Sequence, residues 1–313
     1  MFELPRKEDI VNHGIPSTPD DITDIVIKAF SHTQDDRLRE ILTGLVKHLH
    51  AFGREVKLSE EEFTAAINAV TQLGHLTKDR HNETMVMSDA LGFSTLVMIM
   101  NQARTDEQIS PALLGPFYTR KDPEYPPGTN IARDKPHDGD IPLFVSGQVK
   151  SRDGQPLANA LVEVWQASPE GLYENQDEHQ PHMNLRGKFR TDENGRYRFR
   201  TLRPASYPIP THGLVGDMLR AQGRHPFRAA HIHFCISAPG HQTLVTQIFP
   251  QDDLFIESDC VFGVTSADLA MEFPLHNDGN APDPDVTGEY STVAIDFDLS
   301  PGESRLPESP IGS

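Results

Sequence analysis

Between residues 18 and 104 apolar side chains recur every three or four positions; from Pro111 onward the period falls to two, broken by proline and glycine. The first rhythm is that of amphipathic helices and the second that of half-buried strands. Thr18-Pro19-Asp20-Asp21 sets a capping residue before a proline at the first helical position. Ile22, Ile25, Val26, Ala29 and Phe30 follow on one face. Leu38, Ile41, Leu42, Leu45, Leu49 and Phe52 predict a second helix. Ser59 and Glu62 make a capping box ahead of a third, which carries Phe63, Ile67 and Val70. Residues 82–104 predict a fourth helix that is apolar around most of its girth. Such a surface needs covering by a second domain or a second subunit.

Beyond Pro111 the alternation predicts strands at 143–149, 161–165, 197–201, 231–237 and 244–249, and a last one near 290–297. Asp153-Gly154 and Asn194-Gly195 predict hairpin turns. Short strands separated by turns, with no helical pattern between them, point to a sandwich. The expected fold class is α+β: a mainly antiparallel β-sandwich over residues 109–313, preceded by an α-helical domain over residues 1–108.

Composition narrows the possible partners. With 28 basic against 46 acidic residues the formal charge is −18, which argues against nucleic acid, since phosphate binding needs a basic face. No run of about 18 apolar residues occurs, so no membrane insertion is expected. The first residues lack a charged segment followed by an apolar one, so a cytoplasmic protein is expected. The two cysteines, Cys235 and Cys260, lie in apolar stretches and read as buried free thiols.

Candidate chemistry comes from spacing. His231-Ile232-His233 in a strand points both imidazoles to one face, roughly 6.5–7 Å apart along the chain. Such a pair can bind one metal ion, and the pair alone leaves the metal's identity open; histidines so spaced also serve as packing residues. Two tyrosines sit among chain breakers: Tyr173 after Gly171-Leu172, and Tyr207 in Ser206-Tyr207-Pro208-Ile209-Pro210, where the following proline holds it extended. Tyr197 alternates as an ordinary strand residue. A phenolate is a hard oxygen ligand that forms readily only beside a strong cation, and iron(III) suits it. Two phenolates and one hydroxide offset a 3+ charge, which permits burial without a large solvation cost.

Gly171-Leu172-Tyr173, Leu185-Arg186-Gly187-Lys188-Phe189-Arg190-Thr191-Asp192, Tyr207-Pro208-Ile209-Pro210, Arg224-His225-Pro226 and Ala230-His231-Ile232-His233-Phe234, in that order, resemble the intradiol ring-cleavage dioxygenases. Within that family the chain looks most like the catechol and hydroxyquinol 1,2-dioxygenases, and the resemblance extends into the N-terminal helices. It implies one Fe(III) per subunit held by Tyr173, Tyr207, His231 and His233, with O2 and an aromatic diol or triol as substrates. Tyr207 is then the ligand expected to yield to substrate and act as a base. Arg228 and Gln247 match the polar groups beside the bound ring, although Ala229 stands where the family often has proline. Asp89 matches a carboxylate at the pocket edge that is expected to select a trihydroxylated ring. Val86, Leu113, Gly115, Pro116, Phe117, Ile209, Pro210 and Val261 are the expected remaining lining. The resemblance also implies a homodimer formed through the N-terminal helices, with a lipid held between them. Leu114-Gly115-Pro116-Phe117-Tyr118 is similar to the hydroxyquinol enzymes, whereas catechol enzymes more often carry Glu-Gly-Pro-Leu-Tyr. Two other readings compete: a transthyretin-like binding module, which leaves the tyrosines and histidines unexplained together, and a zinc hydrolase, which needs a third histidine or an acid.

Overall fold

The computed structural model describes residues 6, 10–78, 81–101, 109–134 and 137–310. Contacts divide the chain into two compact units, residues 1–71 and 72–313. The expected domain boundary at 108/109 adjoins residues 102–108, and these lie outside the described residues.

In the first unit, α1 (Ile22–Ala29) packs on α2 (Asp36–Glu55), and α3 (Glu60–Leu76) begins. Thr18 and Asp21 bond to each other, the Asp21 amide donating to Thr18 Oγ1 (3.3 Å) and the Thr18 amide to Asp21 Oδ1 (3.1 Å), so the helix proper starts only at Ile22. Asp35 caps α2 by accepting from the amides of Arg37 and Leu38 at 2.9 and 3.0 Å. Ser59 and Glu62 form the reciprocal box at the start of α3. The apolar stripe of α2 (Leu38, Ile41, Leu45, Leu49 and Phe52) is 46–58% exposed, and Phe63, Ile67 and Val70 of α3 are exposed as well.

In the second unit, the single helix expected over residues 82–104 is two: α4 (Glu83–Ala90) and α5 (Phe93–Asn101), bent 77° apart. Gly92 breaks it, because its φ of +72° ends α4 in the left-handed region. Residues 102–104 of that expected helix fall outside the described residues. No single described helix is long and apolar enough to cross a membrane.

The rest is a sandwich of two five-stranded sheets. In one, β1 (Pro142–Ser151) pairs antiparallel with β4 (Arg196–Leu202) and parallel with β11 (Tyr290–Ala294) and β12 (Phe297–Leu299), while β10 (Leu275–His276) flanks β11. In the other the order is β3 (Arg186–Arg190), β2 (Leu161–Trp165), β7 (Ile232–Ser237), β8 (Leu244–Pro250) and β9 (Ala270–Met271). Most pairs are antiparallel; β1–β11, β1–β12 and β8–β9 are parallel. Val145, Val149 and Phe199 from the first sheet share one core with Val162, Val164, Phe234 and Ile248 from the second. Each such side chain contributes about 1.5–3 kcal/mol by burial.

The Asp153-Gly154 and Asn194-Gly195 turns form, but neither joins neighbouring strands of one sheet. The chain doubles back on the end of β1 (Ser151 amide to Gln155 carbonyl, 2.8 Å) and then crosses to β2. The second turn carries it from β3 to β4, in opposite sheets. A short ribbon, β5 (Tyr207–Pro208) with β6 (Phe227–Arg228), and a helix, α6 (Leu214–Ala221), interrupt the strands where no helical pattern was expected.

Candidate active site

β7 lies in the middle of its sheet, and its register sets Trp165 of β2 and Gln247 of β8 on either side of His233. Ile232, paired with Ile248, packs into the sandwich core, so His231 and His233 face the opposite way. Trp165 stacks on His233 with centroids 4.8 Å apart and planes 7° from parallel. Nδ1 of His231 lies 2.6 Å from the Ala229 carbonyl, which can only accept, so that nitrogen carries the proton. Nε2 therefore keeps its lone pair. Burial, reinforced by the charge of Arg228, pushes His231 down to about 3. Burial and the neighbouring His231 and Arg228 hold His233 well below its ordinary value. Both rings are neutral at physiological pH.

The tyrosines arrive from two loops locked together by Gly171. Its φ is +82°, and a Cβ there would stand 2.5 Å from Cβ of Tyr207, so no other residue lets the loops meet this closely. Tyr207 opens β5 opposite Arg228. The four ligand-type atoms form a closed ring. Tyr173 Oη is 3.3 Å from Tyr207 Oη, which is 3.5 Å from His231 Nε2. That nitrogen is 3.1 Å from His233 Nε2, which is 3.1 Å from Tyr173 Oη.

All four residues are buried. Neighbouring donor atoms in the ring lie 3.1–3.5 Å apart, close enough for all four to share one ion. Burial raises the phenol of Tyr173 well above its ordinary value, helped by Tyr207, and raises that of Tyr207 despite Arg228. Phenolates form here only with a strong cation among them. Among the described residues no three His, Cys, Asp or Glu side chains are grouped to hold a metal, so the zinc-hydrolase reading lacks its third ligand. The donor set, two hard oxygens and two neutral imidazoles, fits ferric iron.

Arg228 borders the ring. Its Nη1 donates to His231 Nε2 (3.1 Å) and Nη2 to Gln247 Oε1 (3.1 Å), while Gln247 Nε2 donates to the Leu113 carbonyl (2.6 Å). Nε faces Asp259, 3.4 Å from Oδ2. Burial pushes the Asp259 carboxyl up, but Arg228 and the surrounding amides more than offset this and keep it below the usual range.

A cavity of about 400 Å³ opens onto Tyr207 and Arg228. Val86, Asp89, Pro116, Phe117, Ile209, Pro210 and Val261 line it, as does the rim formed by Leu172, Gln176, Thr211 and His212. Leu113 lies behind the wall, packed with Val86 and Ile209, and contributes its carbonyl to Gln247. Gly115 backs His233 instead, with φ +73° and space for a Cβ only 3.1 Å from Cε1 of that ring. Asp89 is 6% exposed; burial raises its carboxyl above the usual range, a rise only partly offset by Ser94 and Arg228.

Residues 113–301 match the family profile described as "Dioxygenase", and residues 35–108 match "Catechol dioxygenase N terminus". The chain belongs to the intradiol ring-cleavage dioxygenases. It is 41% identical over 278 residues to the 6-chlorohydroxyquinol 1,2-dioxygenase of Cupriavidus pinatubonensis, covering 89% of this chain and 95% of that one. It is 37% identical over 266 residues to the catechol 1,2-dioxygenase of Candida albicans, covering 84% and 86%. The hydroxyquinol 1,2-dioxygenase structure from Pseudomonas putida superposes with a TM-score of 0.82 at 34% identity, covering 91% and 99%. The transthyretin-like binding reading is therefore set aside.

Intradiol dioxygenases use non-haem iron, and Tyr173, Tyr207, His231 and His233 form a buried ring of oxygen and nitrogen donors in this member. The site also draws on residues that local patterns do not reveal. Trp165 reaches His233 only through strand pairing. Asp259 sits in an irregular loop. His81 lines the cavity with Nε2 2.6 Å from the buried Glu83 carboxylate. Arg186 ties the Tyr173 loop to the segment at Phe117, donating to Glu174 (2.8 Å) and to the Phe117 carbonyl (2.7 Å).

Proposed function

We propose that this intradiol dioxygenase opens benzene-1,2,4-triol (hydroxyquinol) between its adjacent hydroxyls, inserting both atoms of O2 to give a hydroxymuconate or maleylacetate-type diacid. The observation that carries the substrate is Asp89, a buried carboxylate in an otherwise mostly apolar cavity that leads to the four-residue ring. A third hydroxyl on the ring gives that carboxylate a hydrogen-bond partner, and catechol has none to offer. One Fe(III) per subunit is held by Tyr173, Tyr207, His231 and His233. When bound, it supplies Lewis acidity that draws electron density from the diol ring.

The chain's own groups do the rest. Tyr207 lines the cavity, whereas Tyr173, His231 and His233 stand behind it. This supports Tyr207 as the ligand that yields to substrate and takes a hydroxyl proton on Oη. Arg228, also on the cavity wall, offsets negative charge developing on the substrate oxygens, and Gln247 orients it. Val86, Phe117, Ile209 and Val261 exclude water from the flat ring. Side-by-side turnover tests the substrate: hydroxyquinol is expected to give the higher kcat/KM, and a preference for catechol overturns the reading in favour of a catechol 1,2-dioxygenase. The likeness to the Candida albicans enzyme is the observation behind that second reading.

The helical domain is assigned to residues 1–108, and the sandwich to residues 109–313, supported by profile matches that end at 108 and resume at 113. A homodimer formed through the N-terminal helices, with a lipid chain between them, is the proposed cover for the exposed apolar residues of α2, α3 and α5. The proposed compartment is the cytoplasm, consistent with two buried, unpaired cysteines.

A further inference from the structure

The segment from Asp259 to Gly263 supplies Val261 to the cavity wall, and its one charged residue, Asp259, meets Arg228. Asp259 is 5% exposed. Its Oδ1 accepts from the amides of Val261 (2.9 Å) and Gly263 (3.4 Å), and its Oδ2 accepts from the amide of Ala229 (3.1 Å). The carboxylate is thus fixed by backbone on both sides before it meets Nε of Arg228 at 3.4 Å. The loop is itself held from outside. Thr95 Oγ1 donates to the carbonyls of Val261 and Phe262 (3.3 and 3.4 Å), and Arg224 Nη2 donates to that of Cys260 (2.7 Å).

Gly263 completes the arrangement. A Cβ on it would stand 2.3 Å from Nη2 of Arg228, with the guanidinium carbon (3.4 Å) and Asp259 Oδ1 (3.6 Å) next nearest. Its backbone lies outside the left-handed region, so the nearest obstacle to alanine is the guanidinium. Nothing in the backbone requires glycine at this position; the side chain of Arg228 does.

We propose that residues 259–263 form a seat for Arg228, in which Asp259 is the positioning residue that aims the guanidinium and Gly263 is the space that receives it. The seat holds Nε through Asp259 and makes room at Gly263 for Nη2, which bonds Gln247, and it leaves Nη1 on the side of the ligand ring. A guanidinium free to rotate about its long side chain would lose that alignment, and loss of alignment by about 1 Å can cost about 100-fold in rate. The inference rests on the role proposed above for Arg228 in turnover.

The test is a set of variants in the iron-loaded enzyme: Asp259→Asn, Gly263→Ala, Arg228→Gln, and each of the first two combined with the third. Iron content, the visible spectrum, kcat and KM are read for each. Asp259→Asn and Gly263→Ala are both expected to keep iron and spectrum and to hold KM within about threefold. Both are expected to lower kcat by about 10- to 100-fold. In the Arg228→Gln background either change is expected to alter kcat less than about twofold, because there is no guanidinium left to aim. Equal fold-losses in both backgrounds overturn the seat, as does unchanged kcat in the single variants. Should Asp259→Asn not fold, Gly263→Ala carries the test, since it keeps the buried charge pair. Absence of turnover in the wild type on any aromatic diol refutes the functional reading by itself, before the variants are compared.

Discussion

Replacing Asp89 separates specificity from stability in one residue. The carboxylate is 6% exposed, lines the cavity from α4, and has its pKa raised, first by burial and only partly countered by Ser94 and Arg228. A group held above its unfolded value contributes most to stability below the ordinary carboxylate range. It loses that contribution as pH rises through its folded pKa. Asp89→Asn is therefore expected to raise Tm at pH 8 and to leave it little changed at pH 4. For substrate the sign is opposite. A charge-assisted hydrogen bond from the ring's third hydroxyl is worth about 1.5–3 kcal/mol, or about 10- to 150-fold in kcat/KM. Asp89→Ala should lose that factor on hydroxyquinol and spare or improve catechol, which leaves the carboxylate unpartnered. Steady-state kinetics on both substrates, with thermal melts at the two pH values, measure the two effects independently. An equal loss on both substrates would make Asp89 structural, and no loss on either would remove it from substrate contact.

Tyr207→Phe should keep part of its iron but lower kcat by about 100-fold or more, since it removes the proposed ligand and base at once; full activity in this variant refutes the role given to Tyr207. Asp122 lies behind the site, 3.9 Å from Arg186, and burial pushes it up to about 7 against the pull of Arg186 and Lys188. Its stabilising share is complete below about pH 4 and is lost as pH rises through about 7, so Asp122→Asn should melt above the wild type at pH 8 and level with it near pH 4. A gap independent of pH would contradict this. Light scattering at micromolar concentration should report a dimer, and Leu45→Glu together with Leu49→Glu, on the exposed face of α2, should yield a monomer; a wild-type monomer counts against helix-mediated association.

What could be read in advance follows from the range of the interactions involved. The alternation around Ile232 is local, so the common facing of His231 and His233 was legible, as were the α2 stripe and the Ser59–Glu62 box. Tyr173 and Tyr207 are 34 residues apart, and nothing local says that Gly171 lets their loops close on each other; they became visible through resemblance to a family. Apolar residues continue on both sides of Gly92, so α4 and α5 read as one helix until the positive φ appeared. Asp259 and Trp165 gain their roles only through long-range placement, and the parallel pairing of β1 with β11 and β12 spans more than 140 residues. The α6 segment carries an apolar face but is short and follows Tyr207-Pro208-Ile209-Pro210, which masked it among the turns.

Two tyrosines and two histidines are proposed to hold ferric iron. Metal analysis of the purified protein, together with its visible absorption spectrum, tests this most directly. One iron per chain and a wine-red colour from phenolate-to-iron(III) charge transfer are expected, with the band diminished in Tyr173→Phe and in Tyr207→Phe. Stoichiometric iron in a colourless protein, or zinc in its place, would contradict it.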